Sequence, residues 1–342
     1  MSETIDFIIV GGGISGRLMQ LALQNQGGTT LVFDEANSNQ SSIVAAGLAN
    51  PLVGKFFTIG WRANEFFNGL TDFYQDLENR LDANFYKPCT MRRIIASAGE
   101  QNIWLSKAHQ SKYVGFCDFS PEPIPGLDTN FGILNVHQGG ELDTRLFLQA
   151  CYENLPTDNS KFDFGLLNMA ENRYGNLQFK HIVFCEGYKV MENPYFNTLL
   201  NVVPTKGELI EIDTELAPKG DIYLGSVFLQ HLYDRRWRVG STYSQGDSSP
   251  FPTEMMKNDL LVKLDKTLNS PYTLVEHYCG IRPASIDRKP ILGTHPLHKN
   301  MHLVNGMGSK SVSLAPLLTQ EMSEYLINNT PLQPEVDIQR FW

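Results

Sequence analysis

The run Val10-Gly11-Gly12-Gly13-Ile14-Ser15-Gly16 constrains this chain more than any other stretch. It closes Ile5 to Val10, a short apolar run rich in β-branched residues that suits a buried parallel strand. Gly11, Gly13 and Gly16 satisfy G-x-G-x-x-G. Each glycine answers a steric need: a tight turn, close approach of a pyrophosphate, and close packing of helix on strand. Ile14 to Gln26 then shows helical spacing, with Leu18, Leu21 and Leu23 among polar residues and Gly27-Gly28 as the stop. Thr29 to Phe33 reads as a second strand and ends at Asp34-Glu35. Together they form a βαβ unit for a dinucleotide, with the helix N-terminus turned to the phosphates. Asp34 stands where a carboxylate accepts the ribose hydroxyls, and Glu35 is the second candidate because strand alternation points it elsewhere. The bland alternative is a structural turn beside a solvated acid pair. The fingerprint alone does not separate NAD from FAD.

A chain of 342 residues accommodates two globular units, or one unit with another inserted. Hydrophobic and charged contents of 42% and 19% exclude wholesale disorder. A net charge of −9 argues against a dedicated nucleic-acid surface, which needs a basic face. The five cysteines, Cys89, Cys117, Cys151, Cys185 and Cys279, are dispersed without a C-x-x-C pair and read as reduced thiols. The eight histidines show no metal-ligand spacing. The glycine-broken N-terminal run does not suit a secretory signal, and no run approaches the ~20 apolar residues of a membrane span. The expectation is a cytoplasmic protein with no integral membrane contact.

Further along, Leu142 to Leu155 reads as a helix. Phe162 to Leu167, Leu177 to Phe179 and Ile182 to Phe184 read as strands. Residues 86–138 and 202–275 differ in texture, with alternating runs such as Leu209-Ile210-Glu211-Ile212 and Trp237-Arg238-Val239-Gly240 that suggest antiparallel sheet. The C-terminal stretch returns to strand, glycine loop and helix: His302-Leu303-Val304, then a helix from about Ser313 to Asn328. The expected organisation is a nucleotide-binding domain of residues 1–85, 139–201 and 276–342. A sheet domain of 86–138 and 202–275 is inserted twice.

Three more landmarks decide the cofactor. Ser41-Ser42-Ile43-Val44-Ala45-Ala46-Gly47-Leu48 precedes Asn50-Pro51. Gly280-Ile281-Arg282-Pro283 leads to Asp287 and Pro290-Ile291-Leu292-Gly293. Asn305-Gly306-Met307-Gly308-Ser309-Lys310-Ser311 precedes Leu314-Ala315-Pro316. With the fingerprint, this ordered set resembles the D-amino-acid oxidase-like family of FAD-dependent oxidoreductases. That family includes glycine oxidase, sarcosine oxidase-like enzymes and the oxidase half of the bifunctional tRNA wobble-uridine modification enzyme. Pro204-Thr205-Lys206-Gly207-Glu208 and Val239-Gly240-Ser241-Thr242 resemble its middle landmarks.

The resemblance implies an α/β fold: a discontinuous Rossmann-like FAD-binding domain with an inserted antiparallel-sheet substrate domain. It implies non-covalent FAD held by Gly11, Gly13, Ile14, Ser15, Gly16, Asp34 and Glu35. Further contacts fall to Ser42, Ala45, Ala46, Gly47, Leu48, Gly187, Arg282 and the run Gly306, Met307, Gly308, Ser309, Lys310, Ser311. Arg282 matches the arginine that clamps a substrate carboxylate, a task suited to its two parallel donors. Its alternative is a structural salt bridge. Lys310 adds charge beside the flavin or is an ordinary loop lysine. Ser311 replaces a family glycine, and Cys185-Glu186 stands where small residues are usual. The glycine-rich run around Lys310 is most similar to the tRNA-modifying relatives, whose substrate carries a carboxymethylamino group; the acidic charge balance argues against tRNA here.

His231, Tyr223, Tyr243 and Gln230 are candidate substrate contacts from the inserted sheet, each with ordinary packing as its alternative. Phe56-Phe57, Phe66-Phe67 and Trp61 read as core, and Asp234-Arg235-Arg236 as a hairpin turn. Cys279 reads as a buried thiol rather than a flavin attachment point. The implied reaction is oxidation of the C–N bond of a small amine or amino acid, with hydride passing to flavin and dioxygen or another acceptor taking the electrons. Alternatives are an FAD-dependent dehydrogenase of a 2-hydroxy acid or polyol phosphate, and a non-catalytic flavin-binding sensor or partner protein.

Overall fold

The Ile5–Val10 strand lies between Thr30–Phe33 and Leu177–Phe184 and runs parallel to both, with Val10 opposite Phe33 on one side and Phe184 on the other. Met301–Asn305 extends the parallel set beyond Leu177–Phe184. Ile8 and Ile9 are fully buried, so the strand is covered on both faces and shows no alternation in sequence. The Ile14–Asn25 helix covers one face and packs against the Ser311–Asn328 helix. This is a computed structural model that describes all residues except 1–3, 36–40, 55, 201 and 218–221. The first sheet draws on residues 5–33, 157–184 and 291–305.

The second sheet draws on residues 48–49, 86–142 and 202–285. Its spine is the pair Val202–Thr214 and Tyr272–Ser285, antiparallel from Val202 opposite Ser285 to Thr214 opposite Tyr272. Arg236–Gly240 and Phe228–Tyr233 follow on the other side of Val202–Thr214, joined by the Asp234-Arg235 turn. One junction departs from the antiparallel expectation: Ile222–Leu224 runs parallel to Tyr86–Ile94, and so unites the two sequence stretches in one sheet. Trp237 and Tyr223 stack at 5.9 Å in the core beneath this sheet.

Four local expectations need correction. Phe162 to Leu167 is no strand: Phe164–Leu166 is one 3-10 turn, and only Leu167–Asn168 pairs. Asp163 accepts a hydrogen bond from the Gly165 amide and so competes with the extended ladder. The sheet stretches also contain the helices Ala98–Leu105 and Glu254–Leu264, capped by Ser97 and Thr253. The Ser97-x-x-Glu100 spacing is a capping signal that the alternating pattern around it obscures. The last helix begins at Ser311, so Ser311 occupies its first turn rather than the preceding loop. Of the aromatic pairs, Phe57, Phe66 and Phe67 are buried, whereas Phe56 is exposed.

Candidate cofactor and substrate site

A cleft of about 610 Å³ opens where the parallel strands end, and its wall continues across the second sheet. Gly11, Gly13, Ile14, Ser15, Asp34 and Glu35 line it from the βαβ unit. Gly11 has φ +99°, and a Cβ there would lie 2.5 Å from the Cys185 carbonyl oxygen. Gly16 is absent from the wall. A Cβ on it would lie 1.9 Å from the Gly11 oxygen, so it allows the helix to sit against the turn. Asp34 accepts from the Gly12 amide at 3.0 Å, and Ser42 Oγ accepts from the Ile14 amide at 3.1 Å. Glu35 lines the cleft beside Asp34 because the chain has left the strand by then and alternation no longer applies.

Ser42, Ala45, Ala46, Gly47 and Leu48 form the next stretch of wall. Gly47 has φ +70°, and a Cβ there would lie 1.9 Å from the Leu142 oxygen. Gln230 Nε2 donates to the Ala46 oxygen at 2.8 Å and to Glu141 Oε1 at 2.6 Å, tying this run to the second sheet. Gly306, Met307, Gly308, Ser309, Lys310 and Ser311 close the wall from the far end of the chain. The Gly308 amide donates to the Pro283 oxygen at 3.1 Å, and Asn305 Nδ2 donates to the Gly187 oxygen at 2.9 Å. The first turn of the Ser311–Asn328 helix therefore meets the cleft with its positive dipole end. Lys310 lines it, and desolvation by the cleft wall, then Arg288 and Lys289, lower its pKa.

Gly187 lines the cleft beside Glu186. Asn193 Nδ2 donates to Glu186 Oε2 at 2.7 Å, while burial pushes the Glu186 carboxyl up to about 8. The Cys185 thiol is buried and its pKa raised for the same reason. Among the described residues no cysteine is joined in a disulfide.

Arg282 lies on the Tyr272–Ser285 strand opposite Thr205 and lines the cleft. Nη1 donates to the Thr242 oxygen at 3.2 Å, and Nη2 donates to Ser241 Oγ at 2.8 Å. The guanidinium lies over the backbone of Gly207, where a Cβ would stand 2.1 Å from Nη2. Desolvation lowers the Arg282 pKa, and the neighbouring Tyr243 opposes it weakly. Among the described residues the Arg282 hydrogen-bond partners are a carbonyl and a hydroxyl, and no carboxylate forms an ion pair with it.

The other candidates separate cleanly. Tyr223 is buried against Trp237 and does not line the cleft. The His231 ring contacts Trp237, and its Nε2 lies 3.0 Å from the Asp234 oxygen, within the hairpin. Gln230 acts from behind the wall, and Tyr243 is exposed near Arg282. Cys279 is buried outside the lining. No group of metal-ligating side chains assembles among the described residues. Sequence reasoning missed Phe162, Phe164, Gly207, Leu209 and Phe228 as wall residues. Gly207 and Leu209 were legible in principle, because they share one face of an alternating strand.

The geometry fits FAD: a glycine cradle at a helix start, an acid at the ribose position, small residues along the middle, and a second helix start. The sequence model of the family described as FAD dependent oxidoreductase matches residues 6–325. Glycine oxidase from Bacillus licheniformis is 21% identical, with 98% of this chain and 96% of that protein aligned. The tRNA 5-methylaminomethyl-2-thiouridine biosynthesis bifunctional protein MnmC of Marinobacter nauticus is 22% identical over 97% of this chain, which spans 56% of that longer protein. Among bifunctional ThiO/ThiG proteins, that of Trichormus variabilis is likewise covered over only 55% of its length. The structure of glycine oxidase from Geobacillus kaustophilus superposes with a TM-score of 0.80 at 17% identity, covering 99% of this chain and 98% of that one. With the fingerprint, the small-residue run and the C-terminal helix start gathered on one cleft, the chain belongs to the FAD dependent oxidoreductase family.

Proposed function

We propose that this chain oxidises the C–N bond of a small amine or amino acid bearing a carboxylate, and that Arg282 binds that carboxylate. One observation carries the reading: Arg282 faces the cleft with a carbonyl and a hydroxyl, not an acid, as its hydrogen-bond partners. Each terminal nitrogen of a guanidinium carries two hydrogens. Nη1 and Nη2 each use one on the protein, leaving one apiece for the two oxygens of a carboxylate. FAD, when bound, supplies the two-electron acceptor. The residues proposed to hold it are those of the cleft wall, with Gly16 acting through packing. The N-terminus of the Ser311–Asn328 helix favours negative charge at its end of the cleft. A substrate bound as the free amine needs no protein acid or base, so positioning by Arg282 is the protein's main contribution to the step.

Relatives named glycine oxidase, and the structural neighbour iminodiacetate oxidase from Chelativorans sp. BNC1, support this substrate class. The division into residues 1–85, 139–201 and 276–342 for FAD and 86–138 and 202–275 for substrate is part of the proposal, although the strands Ile133–Leu142 and Tyr272–Ser285 cross its boundaries. So are dioxygen or another electron acceptor, a small-molecule rather than nucleic-acid partner, and a cytoplasmic location consistent with cysteines outside any disulfide. No helix among the described residues is long and apolar enough to cross a membrane.

The test is anaerobic mixing of the FAD-loaded protein with glycine, sarcosine, proline, D-amino acids and 2-hydroxy acids, following the visible absorbance of flavin. Bleaching by an amine supports the proposal. Bleaching by hydroxy acids alone, or by nothing, overturns it in favour of a dehydrogenase or a sensor. Arg282→Ala is expected to raise KM for the carboxylate substrate by about 100-fold while FAD content holds. Parallel loss of FAD would remove Arg282 from that role.

A further inference from the structure

The Val202–Thr214 strand carries two fully buried charges in alternate positions, Lys206 and Glu208, with Gly207 between them on the opposite face. Gly207 is the floor under Arg282. The two charges reach away from that floor toward the segment 241–253. Lys206 Nζ donates to Ser249 Oγ at 2.8 Å and pairs with Asp247 Oδ2 and Glu208 Oε1, each at 3.3 Å. Glu208 accepts from the Thr253 amide at 2.9 Å and the Thr253 hydroxyl at 3.0 Å, and its Oε2 lies 2.8 Å from His277 Nε2. Burial opposes the Lys206 charge, but its bonds to Asp247 and Glu208 outweigh that and raise its pKa.

Charges taken out of water are costly, and ones this well satisfied hold their partners to a narrow geometry. What they hold here is the segment that supplies both acceptors of Arg282. Its start is stitched to the same strand: the Glu208 amide donates to Thr242 Oγ1 at 2.8 Å, and the Thr242 amide donates to the Glu208 oxygen at 3.1 Å. Its middle is fixed by the Gly246 amide on the Pro204 oxygen at 2.8 Å. Its end is fixed at Thr253, which also caps the Glu254–Leu264 helix.

We propose that Lys206 and Glu208 are positioning residues: by anchoring residues 241–253 from behind, they set Ser241 and Thr242, and through these the Arg282 guanidinium. This inference rests on Arg282 being the carboxylate clamp, and the experiment separates the two. The FAD-loaded protein is titrated with acetate, which occupies a carboxylate site without turnover, and binding is read from the perturbed flavin spectrum. The variants are Lys206→Met/Glu208→Met, which removes both charges together so that neither is left buried alone, Arg282→Ala, and all three combined. Lys206→Arg, which retains the charge, is the conservative control.

The double variant is expected to weaken acetate about tenfold with FAD content unchanged, and Lys206→Arg to bind close to the parent. In the Arg282→Ala background the double substitution is expected to add nothing, because its effect runs through the arginine. Acetate binding unchanged in the double variant, or an equal further loss without Arg282, overturns the positioning role. Release of FAD from the double variant overturns it too, since the pair then supports the fold rather than the arginine. If Arg282→Ala alone leaves acetate binding intact, the clamp reading itself fails.

Discussion

A Cβ placed on Gly207 would meet Nη1 and Nη2 of Arg282 at 2.3 and 2.1 Å, and the guanidinium has two bonds to break before it can move. Gly207→Ala is therefore expected to raise KM for a carboxylate substrate by about tenfold or more, with little change in flavin absorbance. A variant with unchanged KM would show that the arginine moves away at no cost. Glu186 makes a prediction in pH. Its folded pKa of about 8 lies above the ordinary carboxylate value, so the folded state binds more protons than the unfolded one between the two values. Stability from this group is full at low pH and falls as pH rises toward 8. Glu186→Gln removes the ionisation and is expected to flatten the fall in Tm between about pH 5 and pH 8, measured on FAD-free protein. An unaltered slope would place the titration elsewhere. Neither effect was legible in sequence. Glu186 stood out only as a departure from small residues, and its pKa depends on burial that no local pattern records.

The element that carries the cofactor end is a strand, a turn and a helix start, and its tolerance is set by backbone contacts. At Gly16 an added methyl would lie 1.9 Å from the Gly11 oxygen, and rigid backbone has no rotamer with which to yield. Gly16→Ala is expected to yield a protein that retains its second sheet but fails to hold FAD at micromolar concentration, as checked by absorbance after gel filtration. Retention of stoichiometric FAD would mean that the helix can shift without harming the turn. This element was readable at once, because the strand, glycine turn, helix and acid that announce it lie within the 30 residues from Ile5 to Asp34. The Ala98–Leu105 and Glu254–Leu264 helices were not, since each sits among strand-like runs and is announced only by its cap.

Across the whole molecule the cleft joins two sheets whose strands come from interleaved stretches of chain. A cofactor that touches both should couple them, and binding to the folded state alone stabilises by mass action. FAD at 100 times its dissociation constant contributes about 2.7 kcal/mol, a rise of a few degrees in Tm that should grow with added FAD. A Tm indifferent to FAD concentration would contradict a cleft built across both sheets. The sequence by itself determined the βαβ unit, because steric need and local periodicity act over short separations, and its ordered motifs pointed to FAD through their resemblance to a family. It did not determine what surrounds Arg282. Whether that arginine met an acid or neutral acceptors depended on the 241–253 segment returning to a strand, with Thr242 meeting Glu208 34 residues earlier in the chain. Gln230 was likewise a substrate candidate until the fold placed its amide on Ala46. Contacts of that separation arise from strands of the second sheet and the segments beside them coming together, and only the tertiary structure decided them.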